Sequence, residues 1–262
     1  MEKVTEISGS QMKTLAKLME SLHFISDIQI VDGKFVQEID KDTFIIADLS
    51  SLVGNTTLHL MNDRQQVKLL KAMNAGSEDV VVYATEEDYH FIGGSFDIPV
   101  SCYEPLVDRE SLPDILGSDI LSMSFDAGSA ERKTYKTLLE GKGPLRFDFD
   151  KAGVCSSIMN KHGGQFWPQS QKMIPTEHRA DVAGDPILKL HSFWLHYLKG
   201  ESLDLKIEMV SPGSDDIDTS QFDYWRVSKE AGAVCEFWLN AEVEFASGVS
   251  FTLVEKLLPQ LY

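Results

Sequence analysis

The chain has 262 residues, of which 41 are acidic and 24 are Lys or Arg, so its formal net charge is −17. Hydrophobic residues make up 43% and charged residues 25%, which excludes a disordered or fibrous chain, and the length fits two domains that each bury a core. So negative a charge counts against a nucleic-acid partner unless the basic residues are gathered on one surface, because phosphate binding depends on Lys and Arg.

The sequence contains no apolar run of about 18 residues, and its start, MEKVTEISGS, lacks the layout of a signal peptide. We therefore expect a soluble, cytoplasmic protein that does not contact a membrane. The cysteines Cys102, Cys155 and Cys235 are widely separated and form no CxxC pair. Neither a disulfide framework nor a metal site is predicted, and no cofactor is expected.

The first hundred residues predict a strand, a helix and a series of further strands. VTEIS is the first strand, and a helix opened by Ser10 follows, SQMKTLAKLMESLHFI. Asp-Gly and Lys-Asp turns then separate the strands DIQIV, KFVQEID and DTFIIADLS. TTLHLM leads into a second helix, with Asn62 as its predicted N-cap and Gly76 near its end. EDVVVYATEED and YHFIGGSFDIPV complete this half as strands.

The remainder predicts a linker and a second half with a similar order of elements. Residues 1–100 and 117–262 are the two predicted domains, and the proline-containing segment 101–116 joins them. A helix follows Ser129, and a second helix over 186–199 is predicted from Asp185 as N-cap and Pro186 in its first turn. The pattern predicts an α+β protein of two similar domains, each with two helices against antiparallel sheets. The tail VSFTLVEKLLPQLY fits either a docked strand or a partner-binding peptide.

The four predicted helices share a basic bias that the rest of the chain lacks. Each helical segment carries a net positive charge, although the whole chain is strongly acidic. At helical spacing, the basic residues of each segment fall on roughly one face. Solvated helix faces rich in Lys are common, but four of them on so acidic a chain favour four helices that face one polyanion.

Two stretches of the first half resemble the sliding clamps, the DNA polymerase processivity factors that include proliferating cell nuclear antigen and the clamps of tailed phages. They are KFVQEIDKDTFIIADLSS and TTLHLMNDRQQVKLLKAMNAGSEDVVVYATEEDYHF, and ILKLHSFWLHYLKGESLDLKIEMVS is a looser counterpart in the second half. The resemblance implies two clamp domains per chain and a homotrimeric ring with helices around a central hole. It also implies that the ring encircles double-stranded DNA without sequence specificity, tethers a DNA polymerase and is placed by a clamp loader. The first half is closest to the phage clamps, which implies a phage origin.

The resemblance also assigns roles to individual residues. The residues it places facing DNA are Lys13, Lys17, Arg64, Lys68, Lys71, Arg132, Lys133, Lys136, Lys189 and Lys199. Family partners dock in an apolar pocket beside the linker, which makes Leu106, Val107, Leu112 and Ile115 the partner-binding candidates here.

Two other interpretations stay open at the level of the sequence. One is a non-catalytic structural or interaction protein, of phage or bacterial origin, made of two sandwich-like halves. The other is a hydrolase that uses the region of Cys155, His162 and His178, although no GxSxG, HExxH or P-loop motif surrounds these residues. The sequence favours a protein that is not an enzyme.

Overall fold

A computed structural model of the chain describes residues 1–73, 79–101, 118–141, 143–150, 154–169, 171–173, 188–197, 200, 202–210, 236–244 and 249–259. The chain divides into two compact units. The first comprises Met1–Asp40, Phe44–Leu112 and Ala246–Phe251, and the second comprises Lys41–Thr43, Pro113–Phe245 and Thr252–Tyr262. No helix in the described residues is long and apolar enough to cross a membrane.

Short strands and three helices make up the N-terminal elements. In chain order these are β1 Glu2–Ile7, α1 Gly9–Ser21, β2 Asp27–Val31, β3 Lys34–Asp40, β4 Thr43–Asp48, α2 Ser50–Val53, β5 Leu58–Met61, α3 Arg64–Met73, β6 Val80–Ala84, β7 Asp88–Gly93 and β8 Phe96–Ser101. One antiparallel sheet has the order β1-β6-β7-β8, while β2 pairs with β3 and β5, and β3 with β4. The predicted strands of this half are confirmed, and the single turn α2 is an addition.

Alternation of apolar and polar residues gives the first sheet one buried face. Val80 and Val82 of β6, Phe91 of β7, and Ile98 and Val100 of β8 are buried, and the residues between them are more exposed. The Asp-Gly turn between β2 and β3 is also confirmed. A Cβ on Gly33, whose φ is +75°, would lie 2.6 Å from the carbonyl oxygen of Gly54, so this turn requires glycine.

The second unit contains most of the remaining elements. They are β9 Ser118–Phe125, α4 Ala130–Glu140, β10 Leu145–Phe149, β11 Cys155–Asn160, β12 Gln165–Phe166, β13 Gln171–Met173, β14 Leu188–Ser192, a 3₁₀ turn Leu195–Tyr197, β15 Ser202–Val210, β16 Glu236–Glu244 and β17 Ser250–Pro259. The strands follow the order β12-β11-β10-β14-β17-β16-β15-β9-β13. The opening order strand, helix, strand, strand is the same in β1-α1-β2-β3 and β9-α4-β10-β11, which agrees with the predicted repeat.

In the part of the apolar tail that the structure describes, Ser250–Pro259 form a docked strand rather than a free peptide. β17 lies between β14 and β16 in the sheet, and Leu253 and Leu257 are buried. The buried Glu255 accepts hydrogen bonds from the hydroxyl of Ser192 and from the backbone N–H of Trp194, 3.2 Å away. These donors satisfy a carboxylate that burial would otherwise destabilise.

The predicted helix over 186–199 is wrong for the residues that the structure describes there. Residues 188–192 form β14, which pairs with β10 on one side and β17 on the other, and the 3₁₀ turn follows. Leu190 and Ser192 are buried while Lys189 and His191 are half-buried, which is the period of two that a strand requires. Within the described residues of the second unit, α4 is the one α-helix.

Candidate nucleic-acid interface

Helix α1 separates an apolar face from a basic one. Ser8 accepts a hydrogen bond from the backbone N–H of Gln11, whose side chain accepts one from the Ser8 N–H, so a capping box begins the helix. The buried face consists of Met12, Leu15, Ala16, Leu18 and Met19. Lys13 and Lys17, four residues apart, are exposed. The apolar pattern therefore turns both ammonium groups toward solvent.

Helix α3 has the same division of faces. Its N-cap is Asp63 rather than the predicted Asn62, because the Asp63 carboxylate accepts hydrogen bonds from the backbone N–H of Gln65 at 2.8 Å and of Gln66 at 3.0 Å. The buried residues are Val67, Leu70 and Met73, and the exposed cations are Arg64, Lys68 and Lys71.

The solvent faces of α1 and α3 meet at one point. Helices α1 and α3 pack against each other, and the Lys71 ammonium lies 2.6 Å from the carboxylate of Glu20. Glu20 is three residues beyond Lys17 on α1, and Lys71 is three residues beyond Lys68 on α3, so each pair shares a face of its helix. We call the exposed cations Lys13, Lys17, Arg64, Lys68 and Lys71 the basic surface.

Asn62 holds this pair of helices together from the inside. Its side-chain nitrogen is buried and lies 3.1, 2.8 and 3.0 Å from the carbonyl oxygens of Met19, Leu22 and Ile25, at and beyond the end of α1. Carbonyls at a helix end have no partner within the helix and need one when they are buried. Asn62, which directly precedes the N-cap of α3, thus completes the end of α1.

Two of the three predicted cations of helix α4 are accessible to solvent, and the third is buried. Ser129 is the N-cap, as predicted, and accepts from the Arg132 N–H at 3.0 Å. Lys133 is exposed and Lys136 half-buried. Arg132 is a correction, because it is only 1% exposed: its guanidinium donates to the Gly200 carbonyl at 3.0 Å and lies 5.8 Å from the centre of the Tyr135 ring. A side chain held inside its own unit cannot contact DNA.

Lys189 also differs from its predicted setting. It lies on β14, opposite Asp148 of β10, and not on a helix, so the argument from helical spacing does not apply to it. Lys199 lies outside the described residues, as do the four partner-binding candidates Leu106, Val107, Leu112 and Ile115.

Comparison with solved structures identifies the architecture. PCNA from A. fulgidus, solved with the C-terminal region of FEN-1 bound, matches with a TM-score of 0.52 at 12% identity over 99% of each chain. The PCNA2–PCNA3 complex from Sulfolobus tokodaii matches with a TM-score of 0.57 at 8% identity, over 97% of this chain and 98% of that one. The chain has the sliding-clamp fold. The Helicobacter pylori beta clamp, solved with carprofen, also matches, with a TM-score of 0.54 at 11% identity over 99% of this chain and 64% of that one.

Sequence comparison adds nothing to this result, since no family model and no curated protein matches the chain. The clamp fold is therefore established by three-dimensional similarity alone, at identities where individual residue roles do not transfer. The basic surface is described from this chain's own contacts for that reason.

The clamp fold also brings together residues that the sequence did not connect with α4. The Asn160 side chain donates to the carbonyl of Leu138 in the last turn of α4 at 3.3 Å and accepts from the N–H groups of His162 and Gly164. The His162 ring lies 3.1 Å from the Gly141 carbonyl. These bonds fix an exposed turn, which includes Lys161, at the C-terminal end of α4. The sequence connected His162 only with the hydrolase interpretation and assigned no role to Lys161.

The described residues of this clamp fold do not support the hydrolase interpretation. Cys155 is buried, and burial raises the pKa of its thiol above the usual value, with Asp148 raising it further. A nucleophilic cysteine needs the opposite, an accessible thiol with a lowered pKa. His162 is exposed on its turn, and His178 lies outside the described residues. No group of three or more His, Cys, Asp or Glu suited to a metal occurs in the part of the chain that the structure describes.

Proposed function

We propose that this chain acts as a DNA sliding clamp: copies of it encircle duplex DNA and tether a DNA polymerase for processive replication. The observation that carries the proposal is the basic surface, five exposed cations on two adjacent helices of a chain whose net charge is −17. Lys133 and Lys136 of α4 extend the proposed DNA-facing set into the second unit. The clamp fold supports the proposal because sliding clamps are the family whose resemblance implies basic helices that face DNA.

The charge distribution suits a ring that slides. Lys and Arg contacts go to phosphates, which every duplex presents in the same way, so they hold the protein on DNA without reading sequence. Each exposed contact is weak, and a modest number of them lets the protein exchange phosphates as it moves. The acidic remainder of the chain disfavours DNA bound elsewhere on the protein.

The proposal includes partners and location. We expect self-association into a homotrimer, a clamp loader that places the ring on DNA, and a polymerase bound through residues that include the linker candidates. The FEN-1 segment bound to A. fulgidus PCNA supports the idea that this fold takes protein segments as partners. The chain itself performs no chemistry in this proposal, and it works in the cytoplasm, where replication of a phage or bacterial genome takes place.

A charge reversal in the basic surface tests the DNA contact. Lys68→Glu should lower the affinity for a short duplex about ten-fold at physiological salt and reduce the slope of log affinity against log salt by about 1 to 2 units, because a phosphate contact is replaced by repulsion. Lys34→Glu is the matched control. Lys34 is exposed on β3, away from the helices, and its substitution changes the net charge by the same amount. Equal effects of the two variants would contradict the proposal and favour the interaction-protein alternative.

Encirclement needs a topological test of its own. Protein loaded onto a nicked circular duplex by its loader should stay bound through a high-salt wash, and cutting the circle once should release it from the free ends. A protein held only by surface contacts would be washed from the circle and would respond to salt alone. Retention on DNA that has been made linear and unblocked would also contradict encirclement.

A further inference from the structure

Glu20 is the one acidic residue within α1 and α3, the two helices that carry the basic surface. Its carboxylate lies 2.6 Å from the Lys71 ammonium, which places a negative charge where the solvent faces of the two helices meet. Lys71 is in the last turn of α3 and would otherwise be as open to an anion as Lys68 is. The ion pair therefore engages one of the five cations of the basic surface.

Stability does not account for this carboxylate. The Glu20 side chain is 57% exposed and that of Lys71 is 41% exposed, so water screens the pair and its contribution to folding is small. An exposed ion pair contributes measurably to stability mainly when its geometry is bidentate or when it belongs to a network of charges. The main effect of Glu20 is therefore to make the Lys71 ammonium less available to an approaching anion.

We propose that Glu20 is a regulatory residue of the DNA-binding surface, which weakens the hold on the phosphate backbone by competing with phosphate for Lys71. This inference rests on the proposed clamp function. A phosphate that approaches Lys71 must displace the carboxylate or share the ammonium with it, and it meets a negative charge in either case. The surface then behaves as one with about four available contacts rather than five, which favours exchange between phosphates during sliding.

A second ion pair in the same unit supplies a matched control. The Lys3 ammonium lies 2.7 Å from the carboxylate of Glu6, and their side chains are 53% and 51% exposed, close to the values for Lys71 and Glu20. This pair lies on β1, outside the helices. Glu6→Gln and Glu20→Gln change the net charge equally, so a difference between them reports the position of the carboxylate.

Duplex binding measured by fluorescence anisotropy over a series of salt concentrations tests the inference. Glu20→Gln should raise the affinity about three- to ten-fold at low salt and steepen the salt slope by about 0.5 to 1 unit, because one more ammonium is free for phosphate. Glu6→Gln should stay within about two-fold of the wild type, as expected for a change in net charge alone. Equal gains in the two variants would overturn the inference.

The pairing with Lys71 is tested by a double-mutant cycle. In a Lys71→Met background, the gain from Glu20→Gln should shrink to the value measured for Glu6→Gln, since no ammonium is left to release. A full gain in that background would show that Glu20 acts by general repulsion and would overturn the competition mechanism. The rate of diffusion along DNA is a second measurement. The loaded clamp should diffuse more slowly in the Glu20→Gln variant than in the Glu6→Gln variant.

Failure of this inference can be told apart from failure of the proposed function. If Lys68→Glu weakens duplex binding and Glu20→Gln leaves it unchanged, the DNA-facing surface stands and the role of Glu20 is overturned. If Lys68→Glu and Lys34→Glu bind duplex equally well, both the surface and the role of Glu20 are overturned.

Discussion

At the scale of single residues, Asn62 links the two helices of the basic surface. Its amide reaches three carbonyl oxygens at and beyond the end of α1, while the next residue, Asp63, caps the start of α3. A single buried amide thus connects the C-terminal end of α1, where Glu20 lies, to the segment that begins α3.

We predict that Asn62→Ala lowers the free energy of unfolding by about 1 to 3 kcal/mol, because the carbonyl groups of Met19 and Ile25 lose a buried donor, while that of Leu22 keeps the Ile25 N–H. Asn62→Asp, which keeps the size and replaces the donor with an acceptor, should destabilise the protein at least as much. Urea denaturation followed by circular dichroism measures both. Asp63→Asn is the control, since asparagine also caps helices well and should change stability by less than about 0.5 kcal/mol. An Asn62→Ala variant as stable as the control would contradict this role.

The N-cap of α3 is Asp63 and not the predicted Asn62, and the reason shows what a local sequence pattern cannot predict. Both residue types favour the N-cap position, so the local pattern predicts a cap near residue 62 and cannot rank the two. The choice depends on the carbonyl groups of Met19, Leu22 and Ile25, which lie about forty positions earlier in the chain. The same limit applies at α1, where Ser8 rather than the predicted Ser10 is the cap.

At the scale of elements, α4 shows that neighbouring cations can have opposite roles. Arg132 lies on the same face as Tyr135 and Leu139, at offsets of three and seven, and that face is buried. Tyr135 stacks on Phe125 with ring centres 4.9 Å apart, next to Phe166. Lys133 lies one position further round the helix and is exposed. Counting basic residues along a helix cannot make this distinction, whereas marking its apolar positions first does.

We predict that Arg132→Met and Lys133→Met separate stability from DNA binding. Arg132→Met should lower the free energy of unfolding by about 1 to 3 kcal/mol, because the Gly200 carbonyl loses a buried charged donor. Lys133→Met should change it by less than about 0.5 kcal/mol and weaken duplex binding several-fold. Thermal unfolding and anisotropy on the same samples give both quantities. A stable Arg132→Met variant that had lost DNA affinity would reverse the assignment.

The strand β14 is an element that local pattern could not assign. Asp185, Pro186 and a run of Leu and aromatic residues favour a helix, yet residues 188–192 pair with β10 and β17. The partner strands lie some forty residues before and sixty-five residues after β14. The buried Glu255 of β17 accepts hydrogen bonds from Ser192, the last residue of β14, and from the backbone N–H of Trp194. Strand pairing over such distances overrides a helix signal of one or two turns. The basic helices α1, α3 and α4, whose apolar periodicity is strong, were predicted well.

At the scale of the whole molecule, two electrostatic effects oppose each other. Copies with a charge of −17 repel, so self-association depends on contacts that outweigh this repulsion, and salt weakens the repulsion by screening it. The basic surface acts in the other direction, because its attraction to phosphates weakens as salt rises. A clamp with these properties assembles at least as well at higher salt while its electrostatic hold on DNA declines.

The final prediction concerns the mass of the assembly, which light scattering on a sizing column measures over a range of protein and salt concentrations. The mass should approach three times the 29.3 kDa of one chain, and it should hold or rise as salt increases from about 0.05 to 0.3 M, where the screening length shortens from roughly 14 to 6 Å. Over the same range, the affinity for a short duplex should fall by at least about ten-fold. A mass that falls together with DNA affinity would mean that opposite charges hold the copies together, and the basic surface would then belong to a protein interface. A constant mass of one chain would contradict the homotrimer, and encirclement would require an assembly formed only on DNA.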